Sequence, residues 1–405
     1  MLSSPVPVLK NVTRLDILEA VRPPLLHRFL TLFGPSGARH STSITSNRSM
    51  GIAGLYDELG QVDSPVSNHL RQALLAVTDL ADDAGHDRLL AVAAAHAVDL
   101  AAMISVQQLN PSELAFSAYL DHRAVFDAAH MYAESSHVRR FVDFHARGLR
   151  LDPAHARAKR AQLADEIGRW FGARNRTNFC DVRICDAADE TSFLVIHGRP
   201  PRAHGVIDGI GADAGRETLS YVPDKQDLII FRKATGVLSV NAQFPVEQDF
   251  YRRVLGRILF GKEDCFGSTA VYTAGPLLEY GALALSAQGI MGLASVELRE
   301  MKIQVIGPRR RFWIIGAEDD LAPDLGASYF RCHLERGRVA YLKLALMIEG
   351  RKRPLLVKLT PPNRLMFDRR THADLVHDFL LTRGFALVDG AALRDRTVTD
   401  EQVGA

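Results

Sequence analysis

The sequence predicts an α+β protein: an N-terminal all-α bundle followed by a mainly antiparallel sheet domain with flanking helices. Three observations lead there. Apolar residues recur every three or four positions as far as Phe171, and the period drops to two after Gly172. The later alternating runs are joined by Gly-containing, charge-rich turns that suit hairpins.

Residues 1–50 stand apart. They carry six basic residues against two acidic ones, Asp16 and Glu19, and end in a Ser/Thr-rich run from His40 to Arg48. A short helix beginning at Asp16 would be stopped by Pro23 and Pro24. This segment reads as a disordered extension. Three later helix starts share a capping side chain followed by Pro: Ser64-Pro65, Asn110-Pro111 and Asp152-Pro153. After Ser64, the residues Val66, Leu70, Leu74, Val77 and Ala81 form one apolar stripe. Residues 88–103 read as a central Ala/Val-rich helix, and 121–144 and 153–171 as two more, the last closed by Gly172. A helical bundle is therefore expected over residues 51–175.

Beyond it, residues 181–185 and 192–197 read as paired strands, and 227–232 with 237–241 as a hairpin. A helix is expected over 246–260, with Gly261 as its stop. Further strands are expected at 296–306, 311–315, 329–334, 339–348 and 355–359, and a last helix at 371–383. The expected α+β domain covers 176–393, with a tail over 394–405. The Gly209–Gly215 segment imitates a phosphate-cradling loop. The stretch from Arg216 to Pro223 is too short and Pro-limited for the helix such a loop needs, so the segment reads as a surface turn.

The chain has 405 residues, 47% of them hydrophobic and 24% charged, enough for more than one buried core and unlike a low-complexity chain. No apolar run is long enough for a membrane helix, so no membrane association is expected. Four cysteines exclude a disulfide scaffold and point to a reducing, cytoplasmic setting. No Walker loop, nucleophile elbow or His-Glu-x-x-His motif occurs, and no cofactor or metal is expected.

The net charge of +2 hides a segregation. Residues 55–121 hold ten acidic and two basic residues, whereas 299–370 hold sixteen basic and eight acidic ones. The dense basic points are Arg309, Arg310 and Arg311; Arg351, Lys352 and Arg353; and Arg369 with Arg370. With Phe312, Trp313 and Tyr329 nearby, these clusters could track a phosphate backbone while an aromatic stacks on bases. Alternation sends Phe312 and Trp313 to opposite faces, so only one can stack. The expected function is thus nucleic-acid or other polyanion binding through the basic C-terminal sheet, with a protein partner at the acidic bundle and no enzymatic role.

Two alternatives stay open. One is a nuclease or other hydrolase. Arg123…His130, Arg140…His145 and Arg150…His155 have the spacing of the Arg/His pairs in helical HEPN-type ribonucleases, where a cation and an imidazole act on one phosphate. Glu300 and Lys302 share a strand face as in metal-dependent nucleases. The other alternative is a structural subunit of an oligomer, in which acidic and basic patches dock within or between chains.

Overall fold

The computed structural model describes residues 15–60, 68–136, 138–146, 148–187, 189–208, 215–267, 270–305, 311–323, 337–369 and 372–387. The chain divides into two compact units, Met1–Ser135 and Ser136–Ala405.

The first unit is helical: α1 (Leu15–Ala20), α2 (Pro23–Thr31), α3 (Gly34–Ser46), α4 (Arg48–Gly60), α5 (Asn68–Thr78), α6 (Asp83–Ala95), α7 (Leu100–Gln107), α8 (Pro111–Asp121) and α9 (Arg123–Ser136). Residues 15–50 are not an extension. Leu26, Phe29 and Leu30 are fully buried in the same core as Leu70, Leu114 and Phe116. Pro23 and Pro24, expected to stop a helix, occupy the first turn of α2, where a missing N–H removes no helical hydrogen bond. Asn110 caps α8 as expected, in a capping box with Glu113. The Glu113 carboxylate also takes Arg22 Nε at 2.6 Å, tying the entry of α2 to α8. The helix expected over 88–103 is broken at Ala97, which has φ +55°, and restarts at α7 under an Asp99 cap. Ser64-Pro65 and residues 1–14 lie outside the described residues.

The second unit opens with β1 (Arg140–His145), α10 (Pro153–Ala158) and α11 (Arg160–Gly172). Residues 121–144 are therefore not one helix. From Phe141 to His145 every residue of β1 is buried, so a central strand covered on both faces shows no alternation to read. The boundary lies near 135, not 175, because α11 packs on the sheet: Leu163, Ile167 and Phe171 share a core with Phe193, Val195 and Ile229. Gly168 permits that approach, since a Cβ there would meet the Asn178 carbonyl oxygen at 2.2 Å.

The remaining elements are β2 (Cys180–Asp186), β3 (Glu190–Gly198), β4 (Arg202–Asp208), β5 (Gly215–Tyr221), β6 (Asp224–Arg232), β7 (Val237–Asn241), α12 (Pro245–Phe260), α13 (Gly275–Tyr280), β8 (Leu293–Val305), β9 (Arg311–Gly316), β10 (Gly337–Ile348), β11 (Leu355–Thr360), β12 (Arg364–Met366) and α14 (Ala373–Thr382). Ten strands form one sheet in the order β2-β3-β6-β7-β1-β12-β11-β10-β8-β9, every pair antiparallel. β4 and β5 pair antiparallel as a separate two-stranded sheet, a pairing that periodicity did not indicate, and the turn expected over Gly209–Gly215 falls on residues 209–214, outside the described residues. The strand expected at 329–334 and the tail over 394–405 lie outside the described residues.

Cross-strand partners share a face, so the register assigns two faces. On one, Met301, Ile303, Leu342, Leu344, Val357 and Leu359 pack with Leu277 of α13 and Val376, Phe379 and Leu380 of α14. On the other, α11 and α12 cover the half of the sheet holding Phe193, Ile229, Val240 and Val142. That second face continues past β1 onto β12, β11, β10, β8 and β9, where its side chains are polar, basic and aromatic.

Candidate nucleic-acid interface

The register builds this continuation strand by strand. Val142, under α12, is opposite Arg364, and Arg140, two residues earlier on the same face, is opposite Met366. Met366 is opposite Lys358, Lys358 opposite Lys343, and Lys343 opposite Glu300. Lys302 is opposite Tyr341 and Ile314, and Gln304 opposite Arg338 and Phe312. The cations Arg140, Lys302, Arg338, Lys343, Lys358 and Arg364 thus lie across five neighbouring strands, a width of roughly 19 Å at about 4.8 Å per strand. The apolar side chains between them are open to solvent: Phe312 is 55% exposed, Ile314 52% and Leu356 61%.

The aromatics and cations are pinned to one another. Lys302 Nζ lies 3.7 Å from the Phe312 ring centroid, and Lys358 Nζ 3.7 Å from that of Tyr341. Glu300 accepts from Lys343 Nζ at 2.6 Å and from the Tyr341 hydroxyl. Those hydrogen bonds hold the Glu300 carboxyl below its ordinary range. Partial burial and the Glu300 contact push the Tyr341 phenol up to about 12. Lys358 is lowered by burial first, then by the charge of Lys343, with Lys302 and Arg140 adding to the effect and Glu300 opposing it. Positive charge is therefore crowded here beyond what this one carboxylate offsets.

The structure does not gather the eight basic residues singled out from sequence. Arg309, Arg310 and Arg370 lie outside the described residues. Arg311 opens β9, exposed and opposite Val305. Arg351, Lys352 and Arg353 are exposed in the turn between β10 and β11. Val305 pairs with Gly337 at one end of β10 and Leu293 with Ile348 at the other, so Arg311 and the 351–353 turn sit at opposite ends of the same strands, about 40 Å apart at roughly 3.3 Å per residue. Arg369 is on the other face and buried, 3.2 Å from Glu190 Oε2 and over the Phe141 ring. Its role is to hold the fold together. Of the cations that do converge, Arg140 and Lys302 stood out in the sequence only as nuclease candidates and Arg338, Lys343, Lys358 and Arg364 did not stand out at all, because each stands singly inside a strand. A Lys alternating with core residues, as in Met301-Lys302-Ile303 or Val357-Lys358-Leu359, was the available signal.

Glu300 and Lys302 share a face of β8 as expected, but the Arg/His pairs are dispersed. Arg123 is bonded to Asp127 at 2.8 Å, while His130 meets Asp79 at 3.3 Å and stacks on Phe126. Arg140 and His145 lie on β1, where an odd separation sends them to opposite faces. Arg150 precedes α10, which carries His155. Among the described residues no three His, Cys, Asp or Glu side chains cluster to hold a metal ion. In the helical unit, part of the acidic excess has local work: Asp82 and Asp99 cap helices, and Asp121 pairs with Arg28.

No protein-family model and no curated protein matches this chain. Among the described residues no helix is long and apolar enough to cross a membrane.

Proposed function

We propose that this protein binds single-stranded nucleic acid on the open face of β8–β12, with Arg140 of β1 at its border. The observation that carries this reading is the convergence of six cations from five adjacent strands, interleaved with exposed Phe312, Ile314 and Leu356, while of the two carboxylates that the register places among them Glu300 is held by Lys343 and Glu297 is paired with Arg299. Ammonium and guanidinium groups spaced across a sheet neutralise successive phosphates, and outward aromatics offer a surface on which unpaired bases stack. Duplexes hide those base faces, so single strands fit the surface better. Recognition by charge and stacking is tolerant of sequence and strongly dependent on salt. The low cysteine content suits a reducing compartment such as the cytoplasm.

The test is fluorescence anisotropy with labelled single- and double-stranded RNA and DNA, titrated over a range of salt. Wild-type protein should prefer single strands. Replacing Lys302, Lys343 and Lys358 together by Ala should flatten the slope of log affinity against log salt by about 2, at about 0.7 per lost contact. No binding at about 50 mM salt, or an unchanged slope in the triple variant, refutes the reading.

A further inference from the structure

A cleft of about 470 Å³ opens where α12 ends its cover of the sheet and the basic face begins. That volume falls within the range of roughly 300–1,000 Å³ occupied by small-molecule sites. Four cations line it: Arg140 of β1, Arg364 of β12, Lys225 of β6, and Arg199, just past the end of β3. Arg140 and Arg364 also belong to the open face. The first turn of α12 closes one side through Pro245 and Gln248, so the positive end of a sixteen-residue helix adds to the same field.

Asp227 lines the cleft as well, but its charge is already engaged. Its carboxylate accepts from the Tyr251 hydroxyl at 2.8 Å and from His197 Nε2 at 3.0 Å, and it faces Lys225 Nζ at 3.0 Å. Lys225 in turn shares Glu247 at 3.2 Å. Arg140, Arg199 and Arg364 make no ion pair among the described residues. Arg199 Nε is buried with no hydrogen-bond partner among them. A buried guanidinium donor without an acceptor, beside two further guanidinium groups that lack an ion pair, calls for an anion with several oxygens.

We infer that this cleft binds a phosphate monoester, the group carried by a free nucleotide or by the phosphorylated end of a nucleic-acid strand. A monoester presents close to two negative charges and three acceptor oxygens, which suits forked guanidinium donors better than a singly charged backbone diester does. The first turn of α12 walls the cleft on one side, so it suits a terminal group, whereas a continuous backbone suits the open face. Exposed amides of Gln226 and Gln243 at the rim supply hydrogen bonds to a sugar or base. The strand-end source rests on the proposed nucleic-acid binding; the free-nucleotide source does not.

The experiment uses the full chain and three probes: adenosine monophosphate, and one single-stranded dodecamer ending in either phosphate or hydroxyl. Variants Arg199→Met and Gln243→Glu lie off the open face, and the second, at an exposed position, keeps the test valid if the first perturbs folding. Adenosine monophosphate should bind the wild type, and each variant should weaken it at least about tenfold. If strand ends are the source, the phosphorylated dodecamer should bind at least about tenfold tighter than the hydroxyl-ended one, and both variants should erase that increment while leaving hydroxyl-ended binding within about twofold. Monophosphate binding without an end effect assigns the cleft to free nucleotides. Monophosphate binding with no dodecamer binding supports the cleft and refutes the open-face function. The inference is overturned if neither phosphate probe responds to either variant.

Discussion

Asp227→Asn probes the buried polar cluster behind the cleft. Asp227 is 0% exposed and is held by His197, Tyr251 and Lys225. Beyond Lys225 the cluster continues through Glu247 to Arg176 at 2.6 Å, and Arg176 lies over the Phe171 ring, which stacks on His197. Removing the charge while keeping the shape leaves Lys225 with Glu247 alone and turns one acceptor toward donors as an amide. Breaking a buried pair by neutralising one partner costs about 3–5 kcal/mol. Because Glu247 remains beside Lys225, a loss of about 3 kcal/mol is expected at pH 7.

The pH dependence has a defined sign. Burial pushes the Asp227 carboxyl up, but the His197 hydrogen bond and the Lys225 charge outweigh it and hold it below its ordinary value. A carboxylate with a depressed folded-state pKa contributes stability that is complete above the unfolded value of about 3.9 and is lost as pH falls through the folded one. The gap between wild type and variant should therefore be full at pH 7 and shrink below about pH 4. Urea unfolding followed by Trp170 fluorescence is the assay, in a Trp313→Phe background. Trp170 stacks on Phe250 of α12 at 4.3 Å and reports the helices over this cluster. A cost below about 1 kcal/mol, or a gap independent of pH, would show that this carboxylate does not hold the cluster.

In the helical unit, Phe29→Ala should lower stability by about 3–5 kcal/mol in urea titrations, because the buried ring contacts Phe33, Phe116 and Tyr119; a loss under about 1 kcal/mol would remove α2 from the core. Ala97→Gly should stabilise by up to about 1 kcal/mol, since Ala97 sits at φ +55°, where a Cβ is strained; a lower melting temperature contradicts this. On the open face, Phe312→Ala should weaken single-strand binding by about 1–3 kcal/mol, while Trp313→Ala, opposite Ile303 on the other face, should leave it unchanged. Equal losses would mean that the register does not govern the surface.

Local signals carried far in this chain. The caps at Asn110 and Asp152, the stop at Gly261, the hairpin of β6 and β7 and the pairing of β10 with β11 all arise from side chains within a few residues of one another. The α+β class was legible because periods of 3.6 and 2 record one buried face each. The opposite faces of Phe312 and Trp313 were legible for the same reason. The basic character of the C-terminal sheet was legible as well, although the particular cations were not, because density along the chain favours turns, where arginines are simply solvated.

What the tertiary structure alone decided is non-local. β1 is the first strand in sequence yet sits between β7 and β12, and a strand buried on both faces leaves no alternation from which its pairing could be read. Pro23 and Pro24 suit a helix stop and a helix start equally, and only the burial of Leu26, Phe29 and Leu30 beside Phe116 distinguishes the two. Arg140, Lys358 and Lys302 come from segments far apart in the chain and share a surface only through the antiparallel register that links them. Composition and periodicity thus set the class of fold and the sign of the surface. Which charges stand together was settled by strand pairing, because the free energy of pairing depends on partners that no local window contains.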